Sequence, residues 1–264
     1  MKNRFVIVTN RRSGSNMLVS MLDNHPEIKC FGELMRRTPR WMKRKGYRGA
    51  LRVLEKVDAI YKSDRYRFDH PYEFVQAAFE TAPRRKTLSG FKLHLGQNQS
   101  FLFRLIQNPD WKLVVLEREN KLAQYSSSKI ARVTGQGSLR KGAKVVRVTV
   151  PFSVLKFKWF LRRERKEWER VYSKLGTSGK DYFYIRYTDL LSKPVIQNML
   201  EYLGADPSIE IEPMTEKRNP SDILSRFLNP EKSKAVLLKM GCEGWCKEVF
   251  KSRDGKMPDT VLDK

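Results

Sequence analysis

Cysteine is scarce in this chain: Cys30, Cys242 and Cys246 are the only three among 264 residues. An odd count without regular spacing excludes a disulfide-stapled scaffold. Histidine is equally scarce, and none lies near Cys242 and Cys246 in sequence, so that pair, which could share a helix face, has no companions for a zinc site. Long apolar runs are absent as well, and none approaches the ~20 residues of a membrane helix. The stretch Phe5 to Val8 follows Lys2 and Arg4, but it falls short of the about 7–15 residues of a signal-peptide core and is closed by Arg11 and Arg12. These absences predict reduced thiols and a soluble, cytoplasmic protein. Carboxylates are in deficit too: 29 Asp and Glu face 53 Lys and Arg, a net charge of +24. Such a field attracts polyanions, whether nucleic acid, anionic membrane, acidic glycan or a multiply charged nucleotide, and does not choose among them.

What is present alternates. Phe5 to Thr9 and Leu113 to Leu116 are short continuous apolar runs, as expected of parallel strands buried on both faces. Tyr182 to Tyr187 and Gly90 to Leu95 read as two more strands. Helical patterns lie between them, over Ser15 to Asn24, Asn120 to Arg132, Pro151 to Leu175 and Pro194 to Leu203. Arg163 and Glu167, at i,i+4 spacing, mark a solvated face of the long helix. Pro194 at a first turn and Gly204 just past an end fit the asymmetry of helix termini. The alternation predicts an α/β fold, a parallel sheet with helices on both faces. With 40% hydrophobic residues and no repeat or low-complexity linker, one domain over residues 1–250 is expected, with a polar tail over 251–264 that is poorly ordered. Two segments break the rhythm and are expected to decorate the ligand edge of the sheet: the basic stretch Arg36 to Arg52 around Trp41 and Tyr47, and Gly135 to Val150, read as a lid or hairpin.

The stretch Arg11-Arg12-Ser13-Gly14-Ser15-Asn16 carries the chemistry. A strand runs into a loop of small residues, and the loop opens a helix, which aims backbone N–H groups and the positive end of a helix dipole at one point. Gly14 allows close approach of backbone to an anion, and Ser13 and Ser15 add hydroxyl donors. The pattern G-x-x-x-x-G-K-[ST] is absent, which disfavours a kinase or NTPase.

Arg12-Ser13-Gly14-Ser15 after a strand resembles the 5′-phosphosulfate loop of sulfotransferases that use 3′-phosphoadenosine 5′-phosphosulfate (PAPS). The continuation through Asn16-Met17-Leu18, Met21 to Cys30 and Gly32-Glu33 is similar to tyrosylprotein sulfotransferases and to bacterial sulfotransferases of the nodulation and glycolipid type. Leu113 to Arg118 with Ser126 eight residues on looks like the family's 3′-phosphate site, an Arg at a strand end and a Ser in the next helix. Gly90 to His94 is similar to the strand that delivers side chains to the acceptor cleft. Ile185 to Leu191 resembles a late Arg-Tyr-Glu-Asp-Leu element, read here as structural, with Thr188 in place of Glu. Glu216 to Pro220 resembles the basic loop that closes over the nucleotide, with Lys217 and Arg218 as its cations.

The resemblance implies a P-loop-like α/β sulfotransferase fold, PAPS as co-substrate, PAP (3′-phosphoadenosine 5′-phosphate) as product and no metal. It implies that Arg12 meets charge on the sulfuryl and bridging oxygens, as in other in-line transfers that run on positioning and charge stabilisation. Two bases are implied: Glu33, as in tyrosylprotein sulfotransferases, is the first choice, and His94, as in the cytosolic small-molecule enzymes, the second. The basic segment after Glu33 suits an anionic acceptor such as an acidic glycan, a glycolipid or an acidic peptide. A nucleic-acid-binding module would also explain the charge and the Trp41/Tyr47 segment, but it leaves the two phosphate motifs unexplained.

Overall fold

A computed structural model describes residues 3–137, 142, 144–215 and 219–254. Five parallel strands form one sheet: β1 (Asn3–Thr9), β2 (Ile28–Cys30), β3 (Leu88–His94), β4 (Trp111–Glu117) and β5 (Phe183–Arg186), in the spatial order β2-β3-β1-β4-β5. Among the described residues the helices are α1 (Ser15–Asn24), α2 (Arg40–Lys45), α3 (Asp64–Asp69), α4 (Pro71–Glu80), α5 (Gln99–Gln107), α6 (Lys121–Thr134), α7 (Val154–Ser178), α8 (Lys193–Leu203) and α9 (Pro230–Lys239).

Strand side chains point alternately to opposite faces, and β1 shows why its run is continuously apolar. Phe5 and Ile7 enter a core with α1 and α8, while Val6 and Val8 enter the opposite core with α4, α5 and the C-terminal half of α7. A third cluster joins Leu122 and Tyr125 of α6, Phe157 and Phe160 of α7, and Phe227 and Leu237. Helices therefore cover both faces of the sheet, and the four expected strands and four expected helices are all present. Their ends shift by a few residues; the long helix starts at Val154, where the Ser153 hydroxyl accepts from the Lys156 N–H at 3.5 Å. Pro194 sits in the first turn of α8 and Gly204, at φ +77°, ends it.

The register decides where chemistry can occur. Thr9 is level with His94 on one side and with Leu116 on the other. Three strands thus end at one height, and the segments leaving them converge at the carboxyl edge, where open α/β sheets bind ligands. The Thr9 hydroxyl donates to the Leu116 carbonyl at 2.8 Å and fixes that level.

Arg36 to Arg52 is no uniform basic arm. Met42 and Leu51 are buried in the main core, and the chain winds through α2 into a 3-10 turn at Gly49–Glu55. Residues 138–141 and 143 of the expected lid lie outside the described residues; Gly135 ends α6. At the C-terminus, Lys251 N–H donates to the Thr188 carbonyl at 3.0 Å and the Arg253 carbonyl accepts from Lys193 N–H at 2.8 Å. Residues 251–254 of the expected tail are thereby fastened to the domain, and 255–264 lie outside the described residues.

Candidate functional site

The loop after β1 turns on two residues with positive φ, Arg12 at +67° and Gly14 at +85°. For Arg12, a non-glycine residue, this conformation is strained, and the Arg118 guanidinium steadies it by donating from Nη1 to the Arg12 carbonyl at 2.9 Å. Gly14 is needed for a further reason. A Cβ there would stand 2.6 Å from the Tyr187 ring and 2.7 Å from Leu190. The late Tyr187–Leu190 element, expected to be structural, therefore sets the shape of the anion loop. Tyr187 also lines the site.

From the opposite side α7 braces the loop. Glu164 is buried and accepts from Asn10 Nδ2 at 2.8 Å and Gln124 Nε2 at 3.1 Å; Gln124 Nε2 also reaches the Arg11 carbonyl at 2.8 Å. Burial pushes the Glu164 carboxyl upward, against the pull of Lys121 and the Asn10 hydrogen bond. The Arg163–Glu167 pair forms at 3.9 Å on the exposed side, so one helix carries a solvated face and a buried carboxylate together.

Beneath the loop lies a cavity of about 320 Å³. Arg11, Arg12, Gly14, Ser15 and Asn16 line it, as do Glu33, Lys92, His94 and Arg118. Among the described residues its wall holds six cationic side chains, including Arg36 and Arg226, against one carboxylate, Glu33. Such a cavity selects a polyanion. Ser13 is turned away from it. Its hydroxyl donates to the Asn10 carbonyl at 2.8 Å and lies 2.6 Å from Thr9 Oγ1, so it shapes the loop and is not a donor to the cavity as expected. Arg12 Nε donates to Ser127 Oγ at 3.0 Å, and its Nη1 donates to the Gly137 carbonyl.

One end of the cavity gathers Glu33, His94 and Lys92. Glu33 Oε1 accepts from Gln97 Nε2 at 2.5 Å and lies 3.5 Å from His94 Nδ1. Burial works to raise the Glu33 carboxyl, but His94, Lys92 and Arg36 outweigh it and hold it down at about 2. Burial pushes His94 down against the upward pull of Glu33, and its Nε2 is buried with no hydrogen-bond partner among the described residues. Lys92 is also driven down by burial; its ammonium donates to Asn16 Oδ1 at 2.5 Å, tying β3 to the anion loop.

At the other end stand two guanidiniums. Arg118 donates to both oxygens of Glu248, from Nε at 2.9 Å and from Nη2, and lies 4.2 Å from the Tyr187 ring centre. With the bond to the Arg12 carbonyl, three of its five N–H donors are used. Arg226 is buried nearby, and burial together with the Arg118 charge brings it down to about 10. Glu248 offsets part of this repulsion, since its buried carboxylate pairs with Arg118 and also pulls Arg226 back up. Ser126 does not reach the cavity: it is fully buried, donates to the Ala123 carbonyl at 3.0 Å and accepts from Arg226 Nη1 at 3.2 Å. Its neighbour Ser127 lines the cavity instead, because one residue turns a helix by about 100°.

The structure thus brings Arg11, Arg12, Gly14, Ser15, Asn16, Glu33, His94 and Arg118 to one cavity and leaves the Ser13 and Ser126 side chains behind its wall. Lys217 and Arg218 lie outside the described residues; Asn219, next to them, lines the cavity. Sequence reasoning missed Lys92, Tyr187 and Arg226. Lys92 had a signal, a lone cation inside an apolar strand. Cys242 and Cys246, free thiols at the cap and the last residue of a 3-10 turn, do not line the cavity.

A family model described as "Sulfotransferase family" matches residues 4–208. No curated protein matches. Among solved structures the chain is similar to the crystal structure of a sulfotransferase from Alicyclobacillus acidocaldarius, at 14% identity and a TM-score of 0.44, with 94% of this chain and 97% of that chain covered.

Proposed function

Because the chain belongs to the sulfotransferase family, we propose that it transfers a sulfuryl group from PAPS to the hydroxyl of an anionic or polar acceptor: a glycan, a glycolipid or an acidic peptide. The observation that carries this reading is the meeting of both anion motifs and a candidate base on one cavity: Arg12, Gly14, Ser15, Asn16 and Arg118 with Glu33 and His94. The 5′-phosphosulfate lies on the loop amides and Ser15, with Arg12 and Lys92 on the sulfuryl and bridging oxygens. The 3′-phosphate lies at Arg118 and Arg226, which Ser126 orients from behind. The resemblance adds Lys217 and Arg218 to the residues proposed to bind the nucleotide.

The acceptor oxygen attacks sulfur in line, the bond from sulfur to the bridging oxygen breaks, and its electron pair stays on the departing 5′-phosphate of PAP. Arg12 meets the charge that builds there. The acceptor proton passes to Glu33, which is ionised and 3.5 Å from His94; His94, whose buried Nε2 has no hydrogen-bond partner among the described residues, is the alternative base. The three thiols are free, which suits a reducing, cytoplasmic setting, and among the described residues no helix is long and apolar enough to cross a membrane.

The test is release of PAP from ³⁵S-labelled PAPS, with label transferred to members of a panel of glycans, glycolipids and acidic peptides. Wild type should transfer label to at least one acceptor class and Arg12→Ala should not. A panel on which the two proteins are indistinguishable would contradict the reading.

A further inference from the structure

The N-terminal half of α7 presents a surface that the nucleotide site does not use. Phe157 and Phe160 face the third core, whereas Leu155 is 81% and Trp159 62% exposed. Four residues apart, these two share the outer face of the helix. Lys156, Lys158 and Arg162 are exposed around them, and the Arg163 guanidinium lies 5.2 Å from the Trp159 ring centre. From Val154 to Arg163 the helix has basic side chains and no carboxylate. Cations at this end of a helix oppose its dipole, so their placement does not serve the helix. A third apolar side chain, Leu228, 66% exposed, stands near the helix start, since its N–H donates at 3.1 Å to the carbonyl of Val150, five residues before Leu155.

We propose that this face docks on an anionic membrane surface, with Leu155 and Trp159 entering the boundary between headgroups and acyl chains and Lys156, Lys158 and Arg162 meeting lipid phosphates. Exposed Trp and Leu beside Lys and Arg are the composition that interfacial helices use. Charge complementarity excludes the nearest rival: a second copy, also at +24, would bring the same cations face to face. Nucleic acid would satisfy the cations but offers nothing to Leu155 and Leu228. Docking of this kind goes beyond sulfuryl transfer and requires neither donor nor acceptor in the cavity.

Flotation with vesicles of phosphatidylcholine, alone or with roughly one-third phosphatidylglycerol, tests the proposal at near-physiological salt. Wild type should favour the anionic vesicles by about tenfold or more. The uncharged change Leu155→Ser with Trp159→Ser should lower that binding by about tenfold, because apolar area and charge act together. A control that removes two cations elsewhere, Arg84→Gln with Arg85→Gln, should lower it far less. Thermal melting of both variants should match wild type, since the altered side chains are exposed. Undiminished vesicle binding by the Leu155/Trp159 variant would overturn the proposal. So would a change in its oligomeric state without vesicles, or a loss confined to retention on duplex DNA. PAP binding should be unaltered in both variants, so failure here leaves the nucleotide site untouched.

Discussion

Glu33 is held at about 2 by His94, Lys92 and Arg36, and the proposed donor engages Lys92. A negative donor settling against Lys92 should cancel part of the positive field that favours the ionised carboxylate and so raise the Glu33 pKa. The sign gives a pH prediction. The acid limb of kcat, which reports the complex, should lie at higher pH than that of kcat/KM, which reports the free protein; the latter should stay flat down to about pH 4.5, near the ordinary carboxyl range. Glu33→Gln should cost about 10²–10⁴ in turnover with PAP affinity little changed, and His94→Asn should cost less. An acid limb of kcat/KM near 6 that survives Glu33→Gln would assign the base to His94. Arg12→Ala should reduce turnover far more than PAP affinity, measured side by side; equal losses would make Arg12 a ground-state phosphate ligand. Glu33 and His94 were legible because each sits in a motif next to a strand end. Arg226 was not: its meaning comes from Ser126, a hundred residues away in sequence, and no local pattern encodes such a contact.

At the scale of elements, the anion loop is held from two sides, by Tyr187 and Leu190 against Gly14 and by Glu164 of α7 through Asn10 and Gln124. Gly14→Ala adds both a left-handed strain and a contact of 2.6 Å. It should destabilise the fold by more than about 1 kcal/mol and weaken PAP, seen as a lower Tm and a lost nucleotide-induced shift. Glu164→Leu takes from the buried Asn10 amide its acceptor and from Gln124 one of two, a cost of about 1–3 kcal/mol for Asn10, whereas Glu164→Gln keeps an acceptor oxygen and should melt near wild type. If Glu164→Leu bound PAP as tightly as Glu164→Gln, the loop would not depend on α7. The strands and α1 could be read from the sequence because buried parallel strands are runs of β-branched and apolar residues and α1 starts at a glycine. The three-residue β2 is too short to show a period. The inward turn of Glu164 was hidden because the residues around it, Arg163, Arg165 and Glu167, read as a solvated face. The same limit explains Ser126 and Ser127: spacing from Arg118 selects a helix turn, and only packing against Arg226 selects the face.

For the molecule as a whole, the excess of +24 and, among the described lining residues, six cations against one carboxylate predict that nucleotide capture is electrostatic. Association of PAP, followed by stopped flow, should slow steeply as ionic strength shortens the screening length to about 8 Å at physiological salt, while dissociation changes less. The central claim is that the two anion motifs form one site for a nucleotide with phosphates at both ends, and calorimetry of PAP against adenosine 5′-phosphate tests it most directly. A lost charged contact of about 1.5–3 kcal/mol predicts that PAP binds at least about tenfold more tightly, and that Arg118→Ala removes most of that preference. Equal affinity for the two nucleotides in the wild-type protein would contradict the account.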